Sequence, residues 1–152
     1  MTTASTSDTG APDPSCLFCR IVAGDEPAQQ VWADDDTVAF LDTRPLFPGH
    51  VLLVPRRHHV TLPELPPELI EPLFRPARRI AAALPVALGA EGSFMAINNT
   101  VSQSVPHLHV HIVPRTKGDG LRGFFWPRTK YPDGAAAATI AEAIRAAVEA
   151  AD

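Results

Sequence analysis

The stretch HLHVHIVPR, residues 107–115, constrains this chain more than any other. Three histidines alternate with Leu108, Val110 and Ile112. An extended strand, whose successive side chains point to opposite faces, sorts such a run into one polar and one apolar side. The apolar side reads as core and the histidine side as chemistry. Imidazoles two residues apart on one strand face lie within reach of a single ligand, so a shared metal or a shared anion is the expected reason for the repetition.

At 152 residues the chain is long enough for one domain with a hydrophobic core and too short to suggest two. A net charge of −4 and a pI near 5.8 argue against a general nucleic-acid binder, which needs a basic face to displace counterions. No apolar run reaches the eighteen or so residues of a membrane span, and residues 1–14 lack the basic and apolar regions of a signal peptide. The expectation is therefore a soluble, cytoplasmic protein. In that setting the two cysteines, Cys16 and Cys19, read as half a metal site or as a redox motif sooner than as a structural disulfide.

Residues 1–14 are small, polar and broken by Gly and Pro, which predicts a disordered tail. A domain core is expected over 15–115 and an extension over 116–152, its helix packing on the domain. Leu17, Phe18 and Ile21 recur at helical spacing and predict a short helix ending at Gly24. QQVWAD and TVAFLDT predict two strands around an acidic turn, and HVLLVPRR a third. From Pro66 to Leu88 the apolar residues follow an amphipathic helix, with Pro72 and Pro76 predicting a kink and Pro85 or Gly89 the end. SFMAINN and the histidine run supply two more strands, joined by a loop over residues 100–106, and an alanine-rich stretch predicts a C-terminal helix. The order gives an α+β fold with a five-stranded antiparallel sheet.

The run HLHVHIV resembles the histidine triad (HIT) pattern of three histidines alternating with apolar residues. The upstream segment AFLDTRPLFPGHVLLVPRRH is similar, in order and spacing, to that family's strand, ribose-binding and second-histidine segment. The resemblance implies a HIT-like fold, a homodimer, and cleavage at the α-phosphate of purine nucleotide conjugates through a covalent histidine intermediate. Neutral imidazole suits that work, being a nucleophile near pH 7 whose bond to phosphorus is readily broken again.

By resemblance His109 is the nucleophile, while His111 and His50 are phosphate-side histidines. Gln103 and Ser104 match the phosphate loop, Asp42 the carboxylate that accepts both ribose hydroxyls, and Asn98 an amide near ribose or phosphate. Leu17, Phe18 and Phe40 match the apolar positions around the base. Zinc-bearing branches of the family carry ligands at positions that here are Cys16, Cys19, His58 and His107, which would form a closed, structural tetrahedral site. His59 is a neighbouring competitor for that role. The chain departs from the family in having Ser102 where Gly is usual and a loop about two residues shorter. The segment after the triad, with Lys117, Arg122, Phe124, Phe125, Trp126 and Arg128, is expected either to close over a nucleotide, to pack on a partner subunit, or to cover the core edge. The main alternative is a nucleotide-binding regulatory or scaffold protein with negligible turnover; a second is a metalloenzyme in which the triad itself holds the metal.

Overall fold

A computed structural model describes residues 10–122 and 128–151. The first nine residues of the expected tail, and Phe124, Phe125 and Trp126, lie outside the described residues. Two compact units divide between Asp119 and Gly120.

The first unit begins with α1 (Leu17–Ala23), whose N-cap is Cys16: its sulfur accepts the Cys19 N–H at 3.4 Å. Gly24, at φ 85°, ends the helix where the sequence predicts. Ahead of it, Gly10 O accepts the His58 N–H and Asp13 O accepts the Cys16 N–H. These bonds tie residues 10–13 to α1 and to the segment around His58.

Strands β1 (Gln30–Ala33), β2 (Thr37–Leu41) and β3 (Val51–Pro55) form a meander. Asp34 makes the first turn, its Oδ1 accepting the backbone N–H groups of Asp36 and Thr37 and the Thr37 hydroxyl. Two 3-10 turns, Leu62–Glu64 and Pro67–Leu69, precede α2 (Ile70–Leu88). The α-helix therefore starts four residues later than Pro66, and it runs on through Pro76 and Pro85 to a cap at Gly89, φ 69°. Pro72 lies in its first turn, where a backbone N–H has no helical partner to lose. Strands β4 (Gly92–Ala96) and β5 (Val110–Arg115) complete an antiparallel sheet of order β1-β2-β3-β5-β4.

The central strands β2, β3 and β5 bury both of their faces. On one, α2 lays Leu73, Ala77, Ile80 and Leu84 against Ala39, Val51, Leu53, Leu108, Val110 and Ile112. On the other, Phe18 and Ile21 of α1 pack with Val38, Phe40, Leu52 and Val54. Alternation along β3 thus feeds two cores, which explains the unbroken apolar run VLLV at the sheet centre. The hydrogen-bonded ladder of β5 begins only at Val110, so His107 and His109 precede it. Their facing nonetheless holds, because Leu108 N–H donates to His59 O at 2.7 Å and keeps the chain in line with β3.

The second unit contains α3 (Gly134–Ala150), N-capped by Asp133, whose Oδ1 accepts the Ala136 N–H at 2.8 Å. No helix among the described residues is long and apolar enough to cross a membrane.

Candidate active site

The histidine face of the sheet looks into a cleft of about 410 Å³ between α1, the loop over 42–50 and the loop over 98–106. Leu17, Phe18, Ile21, Phe40 and Leu52 give it an apolar wall; Asp42, Ser104, His109 and His111 give it a polar end. The edge of Phe18 meets the rings of both His107 and His109, with centroids 5.9 and 5.1 Å apart. Short α1 therefore sets the floor of the cleft and the position of two triad histidines together.

Hydrogen bonds to the backbone decide which nitrogen of each ring carries a proton. His109 Nδ1 lies 2.7 Å from His107 O, and a carbonyl only accepts, so Nδ1 holds the hydrogen and Nε2 keeps a free lone pair. At His50 the sense reverses: the Leu46 N–H donates to Nδ1 at 3.0 Å, which leaves the hydrogen on Nε2. His50 Nε2 lies 2.9 Å from His111 Nδ1. His111 Nε2 is buried and has no hydrogen-bond partner among the described residues, and His111 lines the cleft. Burial, with His109 and His50 adding to it and Asp42 opposing, pushes the His111 pKa down to about 4, so the ring is neutral at pH 7.

His107 turns the other way, into a second cluster. Its Nε2–H donates to Pro55 O at 2.9 Å, so its Nδ1 is a lone pair, and around that lone pair stand Cys16 Sγ at 3.5 Å, Cys19 Sγ at 3.5 Å and His58 Nδ1 at 3.2 Å. Cys19 Sγ and His58 Nδ1 are 3.2 Å apart. One lone pair cannot serve three hydrogen-bond donors. Bonds of about 2.0–2.3 Å to a central ion put tetrahedral ligand atoms about 3.3–3.8 Å apart, close to these separations. Both sulfurs also accept backbone N–H groups, Cys19 Sγ from Asp13 and Cys16 Sγ from Cys19. Burial, with the neighbouring Cys16 adding to it, pushes the Cys19 thiol up, and a cation would reverse that. Two cysteines and two histidines with a fixed His107 tautomer fit a structural metal, and His58 rather than His59 supplies the fourth ligand atom.

Asp42, His50 and His111 also converge. The Leu46 N–H on His50 Nδ1 makes that pair a hydrogen bond rather than a metal cage, since His50 Nε2 already carries a hydrogen.

The fold thus brings together Leu17, Phe18, Phe40, Asp42, Ser104, His109 and His111 in one cleft. Three expected contacts stand elsewhere. His50 is buried behind His111. Gln103 spans two loops, its Oε1 accepting the Thr100 N–H at 2.9 Å and its Nε2 donating to Val60 O at 2.6 Å. Asn98 is exposed and is not part of the cleft lining. Arg44, which the sequence reading passed over, lines the cleft, and its backbone N–H donates to Asp42 Oδ1 at 2.9 Å. Its position two residues after Asp42 is the signal the sequence offers.

The HIT domain profile matches residues 23–118. The chain belongs to the HIT family. Among HIT relatives, the adenylylsulfatase HINT3 of Arabidopsis thaliana is 35% identical over 108 residues, 70% of this chain and 55% of the plant protein. The adenosine 5'-monophosphoramidase of Schizosaccharomyces pombe is 32% identical over 120 residues, 78% of this chain and 86% of the yeast protein. A zinc-bound histidine triad family protein from Mycobacterium smegmatis superposes with a TM-score of 0.68 at 37% identity, covering 85% of this chain and 97% of that one.

Proposed function

We propose that this HIT protein is a nucleotidyl hydrolase or transferase that cleaves purine nucleotide conjugates at the α-phosphate through a nucleotidyl-His109 intermediate. The observation that carries this reading is the Nδ1–H of His109 on His107 O, which leaves Nε2 as a lone pair in a cleft with an apolar wall and a carboxylate. Leu17, Phe18 and Phe40 hold the base, and Asp42 accepts the ribose hydroxyls. His109 Nε2 attacks the α-phosphorus; the bond to the leaving group breaks, and that group departs with the electron pair and takes up a proton. Water then attacks the same phosphorus and gives up a proton in turn, the phosphorus–nitrogen bond breaks, its electron pair returns to Nε2, and nucleoside monophosphate leaves. His111 faces the phosphoryl oxygens, and Ser104 the leaving group.

Cys16, Cys19, His58 and His107 would hold zinc. With all four positions filled by protein, the ion supplies rigidity and no open coordination site. The residue it fixes, His107, also provides the carbonyl that orients His109. The names of the plant and yeast relatives support adenylyl compounds with sulfate or amine leaving groups as the substrate class. A cytoplasmic homodimer completes the reading.

The test is release of AMP from adenosine 5'-phosphoramidate and adenylyl sulfate by the purified protein. His109→Gly is expected to lower turnover by about 10³-fold or more. Turnover surviving that change would sink the assignment of His109 as nucleophile; none by the unaltered protein would sink the hydrolase reading and favour a binding or scaffold role.

A further inference from the structure

Within that hydrolase reading, we infer that Asn99 and Gln103 are positioning residues, which fasten the loop over 98–106 to residues 60–62 and so set Ser104 in the cleft. Neither amide belongs to the cleft lining, whereas Ser104, next in sequence to Gln103, does. The bonds run in fixed directions, because a backbone N–H can only donate and a carbonyl can only accept. The Leu62 N–H donates to Asn99 Oδ1 at 2.9 Å, and the Thr100 N–H donates to Gln103 Oε1 at 2.9 Å. Gln103 Nε2 donates in turn to Val60 O at 2.6 Å. The anchoring segment is itself firmly held: Leu62 packs against the core beneath α2, and Thr61 and Leu65 are buried. One residue earlier, His59 O takes the Leu108 N–H of the triad run at 2.7 Å. Residues 59–62 thus hold the Ser104 loop and the histidine run in one frame.

The loop needs such ties. Thr100 and Ser102 sit at φ 71° and 61°, where residues with a β-carbon persist only if their surroundings hold them. Set free, that backbone relaxes toward ordinary angles and carries Ser104 away from the polar end of the cleft. Asn99 serves Leu62 as an acceptor only, so a carboxylate can replace its amide there; an amide that donated to a phosphoryl oxygen could not be replaced in that way.

Two variants therefore carry the test: Asn99→Asp keeps the acceptor for Leu62, and Asn99→Ala removes it. In the protein without nucleotide, Asn99→Ala should speed exchange of the Leu62 amide hydrogen by about tenfold or more, while Asn99→Asp leaves it protected. With adenosine 5'-phosphoramidate, Asn99→Ala should lower kcat by about three- to tenfold with KM little changed, and Asn99→Asp should restore most of it. In a Ser104→Ala background the same Asn99→Ala change should cost little more, because Asn99 acts through Ser104. In the labelled protein, the hydrogen-bond coupling between Gln103 Nε2 and the Val60 carbonyl should survive saturation with AMP. Loss of that coupling on binding AMP would mean that the amide turns to the phosphate, and would overturn the inference. So would Asn99→Asp being less active than Asn99→Ala, the full cost of Asn99→Ala persisting without Ser104, or Leu62 exchange untouched by Asn99→Ala. Absence of turnover would sink the proposed function alone, since exchange at Leu62 judges the fastening without substrate.

Discussion

Thr100 and Ser102 hold φ of 71° and 61°, a region that a residue with a β-carbon enters at a cost of about 1–2 kcal/mol. Gln103 keeps them there by bridging Thr100 and Val60. Replacing Ser102 with glycine removes the β-carbon from the left-handed position, against some gain in unfolded-state freedom. The expected net result is a stabilisation of about 0.5–1 kcal/mol, seen as a higher denaturation midpoint. This backbone requirement explains why the family resemblance leads one to expect glycine at residue 102. The same loop shows what a motif leaves out: Gln103 matches a phosphate contact by position, yet its amide is engaged by backbone on two sides. His50 is a similar case. It lies 61 residues before His111, and their contact depends on the register that sets Leu52 opposite His111, which alternation of apolar residues does not specify.

At the scale of elements, α1 is seven residues long and depends on its ends. Cys16 both caps it and belongs to the candidate metal cluster. Cys16→Ser preserves a capping oxygen while weakening the metal site; Cys19→Ser affects the cluster without touching the cap side chain. Both are expected to lower bound zinc from about one ion per chain to little, with a melting temperature lower by about 5–10 °C, measured by elemental analysis and thermal unfolding. Equal zinc content in the variants and the unaltered protein would contradict the assignment. At the other end of the sheet, Gly49 has φ 99°, and a β-carbon there would collide with Leu88 Cδ1. Gly49→Ala is therefore expected to destabilise by about 2–4 kcal/mol, measured by denaturant titration, and to disturb the neighbouring His50. The elements are legible because each carries a strong local signal: short apolar runs bounded by turn residues in the central strands, glycine at the ends of α1 and α2, and i, i+4, i+7, i+11 burial of Leu73, Ala77, Ile80 and Leu84. The start of α2 is not, because a proline-rich approach favours helix entry at several positions and 3-10 turns take the first of them.

For the molecule as a whole, acid is the informative stress. The His111 pKa is held near 4 in the native state against 6.5 when free, and burial lowers His50 as well. Below about pH 6.5 the unfolded chain binds protons at these positions that the folded chain refuses, so stability falls as the pH drops toward 4 and is level above 6.5. Denaturation midpoints measured between pH 7.5 and 4.5 should show this slope, and His111→Gln should make it shallower. A homodimer, expected by resemblance, would sediment at twice the 16.3 kDa of one chain; a single-chain mass at micromolar concentration would remove it from the reading. Leu52 and Leu53, in a central strand buried on both sides, are neighbours in sequence, yet Leu52 borders the cleft while Leu53 is sealed beneath α2. Strand β3 therefore offers a protein engineer two independent dials, one that reshapes the wall of the cleft and one that tunes the strength of the scaffold, set by alternate letters of the same short word.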